Sequence, residues 1–141
     1  MAASVTGSAP QILDALDRHV RLARSTPFEL GRMDCSLWVA DWVSMRTGVD
    51  LAADLRGRYK TRAEVLRLII PLGNLVRIAA RRLDSIGAAV IDPAQAQPGD
   101  IGIVATTDGP ALALFADGAW QTKTGDPLFS TPTASFAWRL P

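Results

Sequence analysis

The sequence has almost no cysteine or histidine, and this scarcity excludes several classes of site. Cys35 is the only cysteine among 141 residues, so an intrachain disulfide and a cysteine-rich zinc centre are excluded. His19 is the only histidine, which excludes any site that needs two imidazole groups. We therefore predict neither a bound metal ion nor a cofactor.

Long apolar runs and a secretory leader are also lacking. No apolar run approaches the ~18–20 residues that are needed to cross a bilayer. The N-terminal segment MAASVTGSAPQ has neither the basic region nor the apolar region of a signal peptide. The sequence therefore predicts no membrane span and no secretory signal.

What the chain does contain is typical of a folded globular domain. Hydrophobic residues make up 48% of the sequence and charged residues 21%. A length of 141 residues fits one domain, and neither an internal repeat nor a long linker divides the chain. We expect a single domain over residues 1–141.

The net charge of +1 is unevenly distributed along the chain. Residues 1–82 carry 13 Lys and Arg against 8 Asp and Glu, whereas residues 83–141 carry 2 against 6. The two halves could therefore attract each other, or present oppositely charged faces to different partners. The arginines are scattered along helical patterns without interleaved aromatic residues, so nucleic-acid binding is not predicted.

The N-terminal part of the chain, about residues 8–84, is predicted to be helical. Apolar residues recur there at helical spacing, in segments that begin at residues able to cap a helix. The first helix should end at about Arg24, the second at Gly48 and the fourth at about Leu83. The four capping residues are Ser8, Asp34, Thr61 and Asn74.

After residue 87 the pattern changes to short strands separated by turns. Pro98–Asp100 and Asp108–Pro110 are turn sequences, and the Asp-Gly pair at 117–118 is a strong hairpin signal. The fold class is therefore α+β, with the helices packed on a small antiparallel sheet formed by about residues 88–140. The predicted strands are Ile101–Val104, Ala111–Ala116, Ala119–Thr122 and Ser135–Leu140.

Cys35 is the candidate nucleophile. It follows Asp34, a good capping residue, and so should occupy the first position of the second helix, with its sulfur facing the sheet. Free backbone N–H groups and the helix dipole favour a thiolate there and lower the pKa of the thiol, which a cysteine nucleophile requires. The alternative is that Cys35 is a small apolar residue of the core.

The segment Gly31–Trp42 resembles the start of the cysteine-bearing helix of the NlpC-type cell-wall peptidases, which have a papain-like fold. In that family an Asp-Cys-Ser sequence opens the central helix, as it does here at residues 34–36. A Pro-Gly-Asp turn then precedes the first strand, and Pro98–Asp100 matches it. The resemblance covers about residues 25–140 and implies a papain-like α+β fold.

The sequence is still more similar to a domain family of unknown function from phage and prophage tail gene clusters. Its members show a Gly-Arg-x-Asp-Cys stretch, then Asp-Trp, Thr-Gly and Arg-Gly-Arg-Tyr. In this chain the last three motifs are Asp41-Trp42, Thr47-Gly48 and Arg56–Tyr59. This similarity implies a virion component near the tail tip or baseplate hub of a tailed phage or gene transfer agent, made in the cytoplasm of the bacterial host.

One departure from the peptidase pattern concerns the general base. In NlpC-type enzymes the strand before the hairpin turn begins with a catalytic histidine, and that position falls here at about Pro110 or Ala111. The third, orienting position falls near Gln121 or Thr122. A cysteine without its base loses general-base assistance worth roughly 10²–10⁴-fold.

His19 is the one substitute for the missing base that the sequence offers. It lies in the first helix near the apolar face, between Leu16 and Ala23. A histidine at such a position is expected to pack at the edge of a helix–helix contact. A Cys35–His19 dyad would need this helix to meet the start of the second one, whereas the resemblance places the base on the sheet.

Two main functions follow from these observations. The first is a degenerate peptidase-like domain that binds other tail-tip or hub proteins, with the exposed arginines of residues 56–62 and 77–82 as polar contacts. The second is a working cysteine endopeptidase or amidase that acts on peptidoglycan through Cys35. The missing histidine favours the first. A third possibility is a prophage or host protein that retains a ligand pocket from the enzyme cleft.

Three other sets of residues could be interpreted as functional sites, but each has a simpler structural explanation. Asp34 and Asp41 could form an acid/base pair on one helix face, although Asp34 is better explained as a cap. The Asp-Gly turns at residues 108–109 and 117–118 could suggest calcium, but their spacing matches no calcium loop. The tryptophans could form a sugar-binding platform, although the two at helical spacing are expected in the core. The tryptophans are Trp38, Trp42, Trp120 and Trp138.

Overall fold

The computed structural model describes residues 7–141 as four α-helices followed by a six-stranded antiparallel sheet, so the α+β prediction is confirmed. The predicted absence of a signal peptide and the start of the predicted domain involve residues 1–6, which lie outside the described residues. The helices are α1 (Ala9–Ser25), α2 (Cys35–Thr47), α3 (Arg62–Ile69) and α4 (Leu75–Ser85), with 3₁₀ turns at Ile70–Leu72 and Pro93–Gln95. The strands are β1 (Ala89–Ile91), β2 (Ile101–Thr106), β3 (Gly109–Ala116), β4 (Ala119–Thr122), β5 (Phe129–Thr131) and β6 (Phe136–Arg139).

The predicted capping residues all stand immediately before their helices. The Asn74 side chain, for example, accepts a hydrogen bond of 2.9 Å from the Arg77 backbone N–H at the start of α4. Gly48 ends α2 with a φ of 78°, a left-handed conformation that glycine adopts without steric cost. Among residues 7–141, none of the helices has both the length and the apolar character of a membrane span.

The strand order in the sheet is β1-β6-β2-β3-β4-β5, and neighbouring strands run antiparallel. Both edge strands, β1 and β5, were absent from the sequence prediction. The predicted turn at Asp108–Pro110 is also wrong in part. Gly109 and Pro110 belong to β3, because they pair with Thr106 and Ala105 of β2 and extend the hairpin to its tip.

One face of the sheet packs against α1, α2 and α4 and forms the main core. The indoles of Trp38 and Trp42 project from α2 into this layer, and both residues are fully buried. They meet sheet residues that include Ile101 and Leu114, which are also fully buried. A helix that is apolar nearly all round is therefore at the centre of the fold, as its composition predicts.

The opposite face of the sheet carries a smaller core under the indole of Trp120. This ring lies directly over Gly102 of β2, and a Cβ atom placed on Gly102 would be 2.6 Å from the ring. No side chain can occupy that space while the indole stays in place. The buried residues of this second core are Val104, Ala111, Ala113, Trp120 and Ala137.

The basic and acidic halves of the chain meet at two surface ion pairs. Arg24 of α1 pairs with Asp117 at 3.4 Å, and Arg62 of α3 pairs with Asp108 at 3.1 Å. All four side chains are more than half exposed, so each pair contributes about 0–1 kcal/mol. The two halves therefore do attract each other, although only weakly.

Candidate functional site

The start of α2 is held in place by the carboxylate of Asp34. One oxygen, Oδ1, accepts a hydrogen bond of 2.9 Å from the Leu37 backbone N–H. The other, Oδ2, accepts from the Gly31 backbone N–H at 2.9 Å and from the Tyr59 hydroxyl at 2.6 Å. Burial, together with this bond to Asp34, raises the pKa of Tyr59. Because Asp34 is only 3% exposed, it serves as a buried hub that joins α2 to two loops.

Cys35 occupies the first residue of α2 and packs against the second core of the sheet, as predicted. Its sulfur lies 3.9 Å from the Ser36 hydroxyl oxygen and within reach of the Leu112 main chain on β3. The register of β4 with β3 covers Leu114–Ala116, so Leu112 lies beyond the backbone pairing of these two strands.

The environment of Cys35 does not favour a thiolate. Although part of the residue is exposed, burial of the thiol raises its pKa, and the negative charge of Asp34 raises it further. Hydrogen bonding from the Leu112 backbone and from Ser36 acts in the opposite direction without reversing the shift. The prediction that the helix start lowers this pKa is therefore wrong, because desolvation and the charge of the adjacent capping carboxylate raise it.

The β3 main chain within hydrogen-bond reach of the Cys35 sulfur is that of Leu112, one or two positions beyond the predicted base position at Pro110 or Ala111. None of these three side chains can accept or donate a proton. At the predicted third position, the Thr122 hydroxyl donates to the Leu112 carbonyl at 2.6 Å, and the Gln121 amide donates to the Ala116 carbonyl at 3.0 Å. Both polar groups are thus used to hold β4 against β3.

His19 is buried between α1 and α2, with 4% of its surface exposed. Its Nε2–H donates to the Trp38 carbonyl at 2.7 Å, and the Trp38 indole N–H donates back to the His19 carbonyl at 3.0 Å. The imidazole stacks on the Trp38 ring at 5.2 Å and lies 6.0 Å from the Trp42 ring. These contacts hold the ring in the helix–helix layer, whereas Cys35 contacts the sheet.

Burial lowers the pKa of His19, although the Trp38 carbonyl and the charge of Asp41 oppose the shift. The folded protein therefore keeps this imidazole neutral at a pH where the unfolded chain, with a pKa of about 6.5, binds a proton. The contribution of His19 to stability is complete above pH 6.5 and is lost as the pH falls toward the lowered pKa.

We expect the free energy of unfolding to fall below about pH 6.5, by at most about 1.4 kcal/mol per pH unit. Urea unfolding between pH 5 and pH 8, above the range where carboxylates titrate, measures this slope. The His19→Gln variant, which keeps a donor for the Trp38 carbonyl, should show a flatter profile. An unchanged slope in that variant would contradict the assignment.

The alternative of an acid/base carboxylate pair does not form, because Asp34 caps α2, as preferred from the sequence, and Asp41 has a separate partner. Asp41 lies on the outer side of α2, where it accepts a hydrogen bond of 2.6 Å from Arg56 Nη2. Asp50 binds the same guanidinium through Arg56 Nε at 2.7 Å. The bond from Arg56 lowers the pKa of Asp50, and the two carboxylates raise that of Arg56. This cluster ties the loop after α2 back onto the helix.

Two of the arginines expected to contact partners are used within the fold. Arg56 is bound by the carboxylates described above, and Arg82 forms a two-pronged pair with Asp54 at 2.7 and 2.9 Å. Arg82 also donates to the Leu51 carbonyl at 2.8 Å. The prediction is therefore wrong for these two side chains. The arginines of the same segments that are exposed are Arg58, Arg62, Arg77 and Arg81.

The remaining candidate sites of the sequence have structural explanations. All four tryptophans are at most 4% exposed, so they form no sugar-binding platform on the surface. The aspartates of the two Asp-Gly turns, Asp108 and Asp117, each pair with an arginine. Within residues 7–141 no group of three His, Cys, Asp or Glu side chains is arranged to hold a metal ion.

Lys123 is a site residue that the sequence analysis missed. Its side chain is fully buried, and Nζ donates to the Ala23 carbonyl at 2.7 Å and to Asp126 Oδ1 at 2.5 Å. Asp126 Oδ2 in turn accepts from the Phe28 backbone N–H at 2.9 Å. The only signal in the sequence is an oppositely charged residue three positions later, which is common in surface loops and therefore says little.

The space next to the Cys35 end of α2 is small. An apolar cavity of about 70 Å³ lies between α2, α4 and β3, with Ser36, Leu112 and Arg82 in its wall. An open groove of about 240 Å³ lies between the start of α4 and the tip of the β2–β3 hairpin. Both are below the roughly 300–1,000 Å³ of typical ligand pockets.

One family model matches the chain, over residues 9–140, and its description is Domain of unknown function (DUF6950). No curated protein matches the chain.

Proposed function

The chain belongs to the DUF6950 family, and from this premise and the geometry around Cys35 we propose that it is a non-catalytic, peptidase-like structural component of a phage or gene transfer agent tail. A papain-like architecture is part of the proposal. It is supported by a capped helix that carries a cysteine at its first residue and packs on an antiparallel sheet. The Pro98–Asp100 turn, directly before β2, also fits the NlpC-type pattern.

The observation that carries the proposal is that the Cys35 thiol contacts the Leu112 main chain and the Ser36 hydroxyl, while the side chains at the predicted base position are not ionisable. Amide hydrolysis by a thiol needs a thiolate, donors for the oxyanion, and an acid for the leaving nitrogen. Backbone N–H groups at the start of α2 could serve as donors. The pKa of Cys35 is raised, however, and the imidazole of His19 is held by Trp38. Two of the three requirements are therefore unmet.

The motifs shared with phage tail domains also support a structural role, because their residues hold the fold together. Gly31 passes so close to the Tyr59 carbonyl that an added Cβ would lie 2.2 Å from its oxygen. Trp42 donates through its indole N–H to the Gly99 carbonyl at 3.0 Å. Arg56 binds Asp41, and Gly48 ends α2. These motifs therefore act as a folding signature of the domain.

We expect purified protein to leave muropeptides uncleaved under conditions in which an active NlpC-type enzyme cleaves them. The test is chromatographic analysis of the products from wild type, Cys35→Ala and His19→Gln, assayed in parallel. Wild-type cleavage that both substitutions abolish, in variants that still fold, would show that an active cysteine peptidase or amidase is the correct alternative. If the wild-type protein is inactive, Cys35→Ala should lower the free energy of unfolding by only about 1 kcal/mol, through lost packing.

The location in the tail is tested separately on particles. The proposal predicts that the chain is present in purified particles at a fixed ratio to the tail proteins, as measured by quantitative mass spectrometry. Immunogold labelling should place it at the tail tip. A chain found only in the host lysate, and never in washed particles, would overturn the virion assignment whatever the result of the activity assay.

A further inference from the structure

The surface of α3 and the turn that follows it exposes three aliphatic side chains. Leu66, Ile70 and Leu72 are 54%, 66% and 41% exposed, and α3 contains no buried residue. Val65 and Leu68, on the inner side of α3, pack against a small cluster around Leu37 and Tyr59. The outer side, which we call the α3 patch and define as Leu66, Ile70 and Leu72, is left uncovered by residues 7–141.

Two arginines border the α3 patch, and a third extends the basic surface along α4. Arg67 follows Leu66 in α3, and Arg77 packs over Gly73, where an added Cβ would lie 3.0 Å from Arg77 Cδ. Arg81 stands one turn after Arg77 on the same face of α4. All three are exposed, and none has a carboxylate within ion-pair distance among residues 7–141.

The acidic residues of the C-terminal half do not complement this basic border. Four of its six aspartates are already bound to a cation of the same chain. In the whole chain nine of the fourteen acidic side chains have a cation partner and Asp34 is buried, so a second copy would offer few unpaired carboxylates and a separate acidic molecule fits this border better. The bound pairs are Asp100–Arg139, Asp108–Arg62, Asp117–Arg24 and Asp126–Lys123.

We propose that the α3 patch, with Arg67, Arg77 and Arg81, binds an acidic amphipathic segment of another tail protein; this inference rests on the proposed structural role. Guanidinium groups bind carboxylates through two parallel hydrogen bonds, and the aliphatic patch supplies the apolar area between them. The patch has no aromatic residue. Membrane-surface helices use aromatic anchors, and single-stranded nucleic acids stack on aromatic rings, so both fit this surface less well.

The test uses a fluorescent helical peptide with leucines along one face and glutamates along the other, and measures its binding to the full chain by anisotropy. The patch variants are Leu66→Gln with Ile70→Gln, and Arg77→Gln with Arg81→Gln. Helix α1 provides a control for each patch variant. For the aliphatic variant the control is Leu13 with Leu22, which are 47% and 48% exposed. For the arginine variant the control is Arg18 with Arg21, which also lie on one helix. These controls receive the same changes to glutamine.

Each patch variant should bind the peptide about tenfold more weakly than wild type, whereas the α1 variants should bind it as wild type does. Binding should also weaken as salt rises from about 0.05 to 0.5 M. Equal weakening by the α1 variants would overturn the inference. So would binding of phosphatidylglycerol vesicles, or of an otherwise identical lysine peptide, in preference to the glutamate peptide.

A photo-reactive residue at position 70 then identifies the neighbour within assembled particles. The cross-linked segment should be acidic and apolar, and Arg77→Gln with Arg81→Gln should reduce the yield; a neutral or basic segment would contradict the proposal. Muropeptide cleavage by wild type would refute the proposed function while leaving this peptide binding intact. Loss of specific peptide binding by an inactive protein would refute only the inference.

Discussion

Replacing Asp34 with alanine is expected to lower the free energy of unfolding by about 3–7 kcal/mol. The helix cap at Leu37 accounts for about 1 kcal/mol of this loss. The Gly31 N–H and the Tyr59 hydroxyl would then be buried without an acceptor, at about 1–3 kcal/mol each. Since a domain of this size has only about 5–15 kcal/mol of stability in total, urea unfolding should show a large shift of the midpoint.

The Tyr59→Phe variant isolates one of these bonds and should cost only about 1–2 kcal/mol, because the carboxylate keeps its two backbone donors. The double variant with Asp34→Ala should lose less than the sum of the two single changes. Additive losses would show that the bond between Tyr59 and Asp34 contributes nothing.

The Asp34→Asn variant separates the charge of Asp34 from its role as a cap. Asparagine still caps the helix, but it removes the negative charge that raises the pKa of Cys35. The alkylation rate of the thiol at neutral pH should therefore rise in a folded Asp34→Asn protein. An unchanged rate would mean that burial alone sets the pKa of this thiol.

The second large effect is expected at Gly102, where valine should cost about 3 kcal/mol or more. Its Cβ would lie 2.6 Å from the Trp120 indole, so either the ring or strand β2 has to move. Gly125→Val is the matched control, because a Cβ there meets nothing within 4 Å. Thermal unfolding of both variants measures the difference, and equal losses would contradict the steric explanation.

A smaller side chain at position 120 provides an internal check. Trp120→Leu should itself cost several kcal/mol, because it empties the second core. In the double variant with Gly102→Val, the valine fills part of that space. The combined loss should therefore be smaller than the sum by about 1–3 kcal/mol.

The sequence predicted best where the signals are local. The start of α2 at Asp34 and its end at Gly48 depend on residues within one helical turn of each end. The hairpin at Asp117-Gly118 likewise depends on a pair of adjacent residues, and Asp117 adopts the required positive φ of 54°. Such features need no knowledge of the rest of the fold.

The edge strands β1 and β5 were missed because each has only three residues, and so short a segment carries almost no periodic pattern. Strand β1 is defined by its pairing with β6, in which Ala89 lies opposite Arg139, fifty positions along the chain. Val90 at the centre of β1 is 80% exposed, so burial also gave no alternating signal. Strand β5 depends in the same way on β4.

The candidate site was predicted in its position but not in its chemistry. The sequence placed Cys35 at the start of a helix and against the sheet, and both features depend on the Asp34 cap. The sign of the pKa shift depends instead on the burial of the sulfur in the folded protein, which the residues next to Cys35 in the sequence do not reveal. The same limitation explains why Arg56 and Arg82 were expected to be free.

The bond between Lys123 and the last turn of α1 can form only late in synthesis, because the two residues are far apart in the sequence. At about 5–20 residues per second, the ribosome needs roughly 5–20 s to proceed from Ala23 to Lys123. Throughout that interval α1 lacks this donor for its terminal carbonyl, and its apolar side lacks the sheet that covers it. The nascent helix can only pair with α2 at first. The packing of α1 is therefore completed late in translation, when the sheet and Lys123 have been synthesised.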